Sequence, residues 1–240
     1  MYIQPHSRIL RRSHSMLVLA TLFFIAGLHS VRADEIAIWN FNDSDLVVDH
    51  GIGTLSSNFV ATNIGFAAGT TNNARLGDVA GQALSLQGGT SNTNNGRNIT
   101  INLSTVGFSN IVISFATQGT STGFNSNQLQ YSLDGTNFVD FGSPYVPAAA
   151  FGAIPLVFTL SGIAGLNNNP NAAFRIVFNG ATTSTGNNRI DNIVVEGTTL
   201  TTAVPEPTTA VLLFTGITGL IGMKRKRRKV ANNATPPSLS

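Results

Sequence analysis

The 240-residue chain contains no cysteine and only three lysines, and all three lysines lie near the C-terminus. Without cysteine there can be no disulfide framework, no zinc–thiolate site, no iron–sulfur cluster and no thiol nucleophile. Residues 34–203 include ten acidic and four basic side chains, so the net positive charge of the whole chain comes from its ends. The central region therefore has no basic face for a nucleic acid, and we expect no nucleic-acid partner.

The N-terminal segment, residues 1–33, has the three parts of a secretory signal peptide. Three arginines precede an apolar run over residues 16–28. At about 1.5 Å per residue, this run is too short to cross roughly 30 Å of hydrocarbon. Val31-Arg32-Ala33 fits the small-x-small cleavage pattern. We expect the secretion machinery to cleave between Ala33 and Asp34, and an uncleaved anchor is the alternative.

The C-terminal segment combines a proline motif, an apolar run and a basic block. Val204-Pro205-Glu206-Pro207 is followed by the apolar residues 208–223 and by six consecutive bases at residues 224–229. A helix over the apolar run would measure about 24 Å, a length that snorkelling side chains can extend. Basic residues after such a span remain in the cytoplasm. The pattern predicts a transmembrane helix with the central domain outside the cytoplasm and the polar residues 230–240 inside.

Together, these C-terminal features resemble the PEP-CTERM sorting signal of Gram-negative bacteria, over residues 204–229. The resemblance implies handling by an exosortase, a membrane protease that recognises the signal and releases or transfers the protein to the cell surface or extracellular matrix. Such proteins often come from producers of exopolysaccharide and biofilm. The two prolines keep the motif extended for a protease. The residues expected to act in sorting are Val204, Pro205, Glu206, Pro207, Lys224, Arg225, Lys226, Arg227 and Arg228.

The central region, residues 34–203, is rich in Asn, Gly, Thr and Ser but retains short runs in which apolar and polar residues alternate. This alternation is typical of half-buried strands. The predicted strands are residues 36–41, 58–64, 83–87, 98–103, 111–115, 128–133, 138–141, 156–160, 174–178 and 188–196. Asp134-Gly135 predicts a tight hairpin turn. We predict an all-β, jelly-roll-like antiparallel β-sandwich, which resembles lectins and carbohydrate-binding modules in shape. A parallel β-helix is the alternative, although no fixed-period repeat is visible.

Catalytic motifs are weak in this sequence. A serine triad needs a histidine that is oriented by an acid. His50 is the only histidine of the central region, and it follows Asp49 directly, so their side chains should point apart. A glycosidase needs two carboxylates across a cleft, and ten acids form too many pairs to single one out. We predict a non-catalytic domain, with a polysaccharide-active lyase or hydrolase as the alternative.

Two acidic segments suggest a structural calcium ion, which prefers hard oxygen ligands. Asp43, Asp45 and Asp49 cluster after the first predicted strand, although a solvated loop would explain them too. Asp191 lies in the last predicted strand, which in many sandwiches is the neighbour of the first. An ion-pairing role for Arg189 or an ordinary strand are the alternatives there. The predicted calcium ligands are Asp34, Asn42 and Asp191.

Glycan binding uses exposed aromatic rings together with a few amide or acidic groups. Tyr145 lies between two prolines in a predicted loop, with Phe151 shortly after it, and the loop at residues 167–169 offers three amides. The alternative is that both rings cover the end of the sandwich. We predict one binding edge, formed by Tyr145, Phe151, Asn167, Asn168 and Asn169. The sequence thus predicts an exported structural or polysaccharide-associated protein.

Overall fold

Two antiparallel sheets account for almost all regular structure in the computed structural model, which describes residues 33–200. Sheet A contains β1 (Ala33–Trp39), β2 (His50–Gly51), β4 (Ile64–Ala68), β5 (Gln82–Gln87), β7 (Phe108–Gly119), β10 (Leu156–Thr159) and β12 (Asn187–Thr199). Sheet B contains β3 (Thr54–Ser57), β6 (Arg97–Leu103), β8 (Ser126–Ser132), β9 (Phe138–Asp140) and β11 (Ala172–Asn179). The helices are short 3₁₀ turns at Ala61–Asn63, Thr90–Asn92 and Ala164–Leu166. Within the described residues, no helix is long and apolar enough to cross a membrane.

The strand order confirms the predicted antiparallel sandwich. Sheet A runs β10-β7-β12-β1-β2, with β5 also pairing with β12 and β4 pairing with β5. Sheet B runs β3-β6-β11-β8-β9. From β5 to β8, each strand crosses to the other sheet, as in a jelly roll, and all the pairs are antiparallel. The parallel β-helix is therefore wrong. Ala33 lies opposite Thr198, so the first and last strands are neighbours.

One predicted strand, at residues 58–64, is wrong. The segment forms a turn and a 3₁₀ helix, and β4 begins only at its last residue. Asparagine side chains supply the hydrogen bonds that a strand partner would have made. The Oδ1 atom of Asn58 accepts the Asn98 backbone N–H at 2.7 Å, and that of Asn94 accepts the Val60 N–H at 3.2 Å. The apolar residue that this segment buries is Phe59.

The core lies between the two sheets and consists of the inward side chains of both. Phe59, Phe124 and Phe178 pack edge to face, with ring centroids 5.5 or 5.6 Å apart. Edge-to-face packing is a favoured geometry for aromatic rings. Trp39, on β1, is fully buried. Burial of these large rings stabilises the sandwich because it removes apolar area from water.

The outer faces of the two sheets differ. On the outer face of sheet A, the paired residues Ile38 and Val194 are buried, and a long β4–β5 loop, residues 69–81, is hydrogen-bonded to this sheet. Asn73 fixes this loop, because its Nδ2 atom donates to the Asn192 carbonyl at 2.8 Å and to the Ser114 hydroxyl at 3.0 Å. The polar outward side chains of sheet B are mostly exposed or half-exposed. Sheet B therefore offers the freer face.

Candidate functional site

A row of five polar side chains crosses the outer face of sheet B. Facing residues of paired antiparallel strands share one side of a sheet, and the register aligns one residue from each strand. The row, from β3 to β9, is Ser56, Thr100, Arg175, Gln130 and Asp140. It presents hydroxyl, guanidinium, amide and carboxylate groups side by side.

Hydrogen bonds and an aromatic ring fix the middle of this row. The Nε atom of Arg175 donates to Gln130 Oε1, and Gln130 Nε2 donates to Asp140 Oδ1 at 2.6 Å. The guanidinium carbon of Arg175 lies 4.0 Å from the centroid of the Phe138 ring. Burial lowers the pKa of Arg175, and the Asp140 carboxylate opposes that shift. Among the described residues, the terminal nitrogens of Arg175 make no hydrogen bond, so they are free to donate to a ligand.

Two further polar residues flank the row on the same face. Val177 lies two residues after Arg175 on β11, and it is paired with Asn98 of β6 on one side and Gln128 of β8 on the other. The Thr100 hydroxyl donates to Asn98 Oδ1 at 3.0 Å, and Gln128 Nε2 donates to the Phe141 carbonyl at 3.0 Å. We call the whole set the sheet-B platform, which comprises Ser56, Asn98, Thr100, Gln128, Gln130, Phe138, Asp140 and Arg175. Planar groups held in place by neighbours suit recognition of a ligand that carries many hydroxyls.

The platform was not predicted, although the alternation of polar and apolar residues contained a signal for it. Gln128 and Gln130 occupy the polar positions of a predicted strand, and Arg175 lies between two apolar residues of another. Long side chains with amide or guanidinium groups at successive outward positions indicate a polar face. Their alignment into one row depends on the strand register, which the alternation alone does not specify.

Tyr145, predicted as an exposed stacking residue, is partly buried and packs against the core. Its ring centroid lies 5.9 Å from those of Phe115 and Phe158. Its backbone exchanges two hydrogen bonds with Asn127, at 2.8 and 3.0 Å. Burial raises the pKa of the Tyr145 hydroxyl. Phe151 is half-buried, and its N–H donates to a side chain of sheet A, Gln118 Oε1, at 3.2 Å.

The predicted amides at residues 167–169 lie at the other end of the sandwich and hold loops together. Asn167 Oδ1 accepts the Asn110 N–H at 3.0 Å, Asn168 Oδ1 accepts the Gly107 N–H at 2.9 Å, and Asn169 Nδ2 donates to the Leu133 carbonyl at 3.0 Å. Tyr145 pairs with the beginning of β8, whereas Asn169 contacts the residue after its end. At about 3.4 Å per residue, these points are roughly 20 Å apart along the strand. The predicted residues therefore do not form one edge.

The three predicted calcium ligands do not converge. Asp34 lies opposite Gly197 and accepts the Thr199 hydroxyl, whereas Asp191 lies about 20 Å back along β12, by the same rise per residue. Asn42 Oδ1 accepts the Gln82 N–H at 3.0 Å. In the described part of the chain, no group of three or more His, Cys, Asp or Glu residues could hold a metal ion.

Asp191 has another environment, at a bulge in β12. Its carboxylate is fully buried and accepts backbone N–H groups from Thr70 at 2.7 Å and Asn192 at 2.8 Å. Burial raises its pKa to about 7, and the two hydrogen bonds oppose the shift. Among the described residues, Arg189 makes no ion pair, and its Nη1 atom donates to the Ala68 carbonyl at 3.2 Å. In the acidic cluster after β1, two carboxylates accept hydrogen bonds from nearby backbone groups: Asp45 from the Val47 N–H and Asp49 from the Asn40 N–H.

The predicted targeting residues are mostly outside the described part of the chain. This applies to the sorting motif at residues 204–207, the transmembrane helix and the basic block. The two residues of the predicted cleavage site, Ala33 and Asp34, open strand β1. The described residues, 33–200, cover most of the predicted central domain, residues 34–203, and the cleavage and sorting steps stay predictions.

No family model and no curated protein matches this chain. Among solved structures, TmCBM61 in complex with β-1,4-galactotriose is similar, with 11% identity and a TM-score of 0.41 over 65% of this chain and 92% of that one. The CBM22-1 xylan-binding domain of Paenibacillus barcinonensis Xyn10C has 10% identity and a TM-score of 0.45, over 72% and 100%. The mannan-recognising carbohydrate-binding module TmCBM27 has 12% identity and a TM-score of 0.40, over 70% and 99%.

Proposed function

We propose that this domain binds an uncharged polysaccharide on the sheet-B platform, as a non-catalytic protein of the cell surface or extracellular matrix. The observation that supports this most is the polar row centred on Arg175. Its guanidinium is stacked on Phe138 and bonded to Gln130, and its terminal nitrogens have no partner among the described residues. A guanidinium held in this way loses little conformational entropy when it donates to ligand hydroxyls.

The charge distribution favours a neutral ligand. The central region has ten acids and four bases, so an anionic polymer would meet net repulsion. On the platform itself, the positive charge of Arg175 is close to the negative charge of Asp140, and the other members are uncharged. Such a surface can bind sugar hydroxyls through hydrogen bonds without having to desolvate an unpaired charge.

The carboxylates near the platform favour binding over catalysis. A glycosidase would use two carboxylates that converge across a cleft. Asp140 accepts from Gln130 on the neighbouring strand. Asp134, in the β8–β9 turn, accepts N–H and O–H groups from Ser132, Thr136 and Asn137, which hold its pKa well below the usual range. Each acid thus has a local structural role, and we propose no reaction for either.

We further propose that the protein is exported and sorted through its PEP-CTERM-like segment by an exosortase. The sequence supports this with a signal peptide, the motif around Glu206 and a basic block. The described strands are compatible with it, because Ala33 and Thr198 are neighbours, so the first and last strands enter and leave the domain at the same end of the sandwich. In a host with an exosortase, Glu206→Gln should keep the protein in the membrane fraction. Unchanged release of this variant would contradict a role for the motif.

A glycan array on the full-length protein tests the binding proposal. Wild type should bind one or more neutral glycans without releasing product. Gln130→Ala removes the amide that links Arg175 to Asp140 and should weaken binding by about tenfold or more, as expected for a lost hydrogen bond to charged groups. Gln82→Ala is the matched control, a half-exposed glutamine on a strand of sheet A. Binding that is absent, or equal in the two variants, would overturn the proposal.

A further inference from the structure

A groove of about 430 Å³ opens beside the sheet-B platform. The end of β6, the β8–β9 turn and the segment before β11 line it. Its rim includes Ile52, whose side chain is 82% exposed. Its polar lining includes Thr54, Asn102, Asp134 and Asn171. A concave site with one apolar wall and several polar groups has the composition of a small-ligand site.

The polar groups of the groove are largely free. The side chains of Thr54, Asn102 and Asn171 are exposed and make no hydrogen bond to any described residue. Each amide offers two donor hydrogens and an acceptor oxygen, and the hydroxyl offers both functions. The loop amides at residues 167–169, in contrast, are bonded to the backbone. Asn171, close to that bonded loop in sequence, thus has a side chain that is available to a ligand.

The groove continues the platform. Thr54 and Asn102 lie opposite each other at outward positions of β3 and β6, two residues from the platform members Ser56 and Thr100. Two strand residues span about 7 Å, and Thr100 lies directly opposite Arg175. A linear ligand bound to Arg175 would therefore pass over Thr100 and reach the groove at Asn102, two residues further along β6.

The chemistry of the groove matches that of the platform. Asp134 is its one charged group, and its oxygens already accept hydrogen bonds from its own turn. The free groups are two amides and a hydroxyl, which recognise neutral hydroxyls and offer no positive charge to an anion. The same class of ligand therefore suits both surfaces.

We propose that this groove is a second subsite, which binds a further sugar unit of the neutral polysaccharide held on the platform. This inference rests on the proposed function. It implies that affinity depends on chain length, because only a longer chain can occupy both surfaces. A chain that fills both gains the contacts of Asn102 and Asn171 without a second loss of translational freedom.

Calorimetric titration of the full-length protein tests the subsite, with neutral β-1,4-linked xylo-, manno- and galacto-oligosaccharides of two and six units as probes. The hexasaccharide of the preferred series should bind about tenfold tighter than the disaccharide, a difference that one or two hydrogen bonds can supply. Asn102→Ala and Asn171→Ala should each remove most of this gain and leave disaccharide binding unchanged. Asn171 lies outside the strands, so its variant remains informative if the Asn102 change weakens β6.

The control is Asn179→Ala, an exposed asparagine at the other end of β11. This variant should change neither the disaccharide affinity nor the hexasaccharide affinity. The subsite would be overturned if the hexasaccharide bound wild type no more tightly than the disaccharide, or if both groove variants kept the hexasaccharide gain. The proposed function would still stand in that case, provided that Gln130→Ala weakened binding of every probe. Failure of wild type to bind any probe would overturn the proposed function as well. Disaccharide binding lost in Asn171→Ala but kept in Gln130→Ala would place the primary site in the groove and refute both proposals.

Discussion

The guanidinium carbon of Arg175 lies 4.0 Å from the centroid of the Phe138 ring. Arg175 comes from β11 and Phe138 from β9, and β8 separates these strands in the sheet. Their contact thus bridges β8, which also supplies Gln130 as the hydrogen-bond partner of Arg175. A cation over an aromatic face is attracted by the ring quadrupole. This contact therefore holds the guanidinium in one orientation before any ligand arrives.

The Arg175–Phe138 contact should appear as a coupling free energy. Arg175→Gln, Phe138→Leu and the double variant form a cycle, and at a half-exposed site we expect a coupling of about 0.5–1 kcal/mol. The measurement is urea unfolding of each full-length variant, followed by circular dichroism. Arg97→Gln with Phe138→Leu is the control cycle, because Arg97 donates to the Asn58 carbonyl away from this ring. Equal coupling in both cycles would mean that the contact has no specific energy.

Asp191 should make stability depend on pH. Burial raises its pKa from 3.8 to about 7, so between these values the folded state keeps a proton that the unfolded state releases. The free energy of unfolding should therefore fall as pH rises from 4 to 7 and then level off. Urea unfolding at a series of pH values measures this. Burial also raises the pKa of Asp49, which contributes a slope of the same sign.

Asp191→Asn isolates the contribution of this one carboxyl group. The variant cannot ionise, so the slope between pH 4 and 7 should become shallower than in wild type. The variant should also be less stable at low pH, by about 1–2 kcal/mol. The reason is that the amide NH₂ group faces a backbone N–H, from which it cannot accept a hydrogen bond. An unchanged slope would show that Asp191 is not the group that titrates.

Most of the strands were predictable from local alternation, but the site was not. Leu129 and Tyr131 alternate with two glutamines, and this is enough to predict β8 and its polar side. The alternation does not say which strand lies beside β8, so the pairing of Gln130 with Arg175 could not be derived. Register and strand order depend on packing between segments that are distant in sequence, which a short pattern does not contain.

The residues of the predicted glycan-binding edge and of the predicted calcium site do not come together, for related reasons. Tyr145 lies between two prolines, which indicates a loop, yet this loop folds back so that the ring covers Phe115 and Phe158. Asp34 and Asp191 do lie on neighbouring strands, as predicted for the first and last strands. Their positions along those strands, however, place them near opposite ends of the β1–β12 pair. Neighbouring strands bring two side chains together only when the register also aligns them.

The loop over sheet A should depend on Asn73. Its side chain donates to the Asn192 carbonyl and to the Ser114 hydroxyl beneath the loop. Asn73→Ala removes both hydrogen bonds and leaves buried polar groups unpaired, so we expect a loss of about 2–4 kcal/mol. Hydrogen exchange of residues 69–81 should accelerate in this variant, relative to the strands of sheet B. Asn137→Ala, in the exposed β8–β9 turn, should leave the exchange of this loop unchanged.

Tyr145 should contribute to stability and not to ligand binding. Its partly buried ring packs against Phe158 and against the core residue Phe115. Tyr145→Ala should cost about 2–3 kcal/mol, less than for a fully buried aromatic side chain, whereas Tyr145→Phe keeps the ring and should cost about 1 kcal/mol or less. Tyr145→Phe should bind neutral oligosaccharides as wild type does. A large loss of affinity in this variant, with an unchanged melting temperature, would show that the tyrosine hydroxyl takes part in ligand binding.

Calcium should have no effect on the melting temperature. An ion that binds only the folded state stabilises it in proportion to the logarithm of its concentration over its dissociation constant. Asp34, Asn42 and Asp191 do not meet, and the two hydrogen bonds that Asp191 accepts come from backbone groups of the β4–β5 loop and of β12. Thermal unfolding of the full-length protein in excess calcium and in excess EDTA should therefore coincide. A melting temperature several degrees higher in calcium would reveal an ion site, and ligand candidates could then be sought by replacing the exposed acids Asp43 and Asp140.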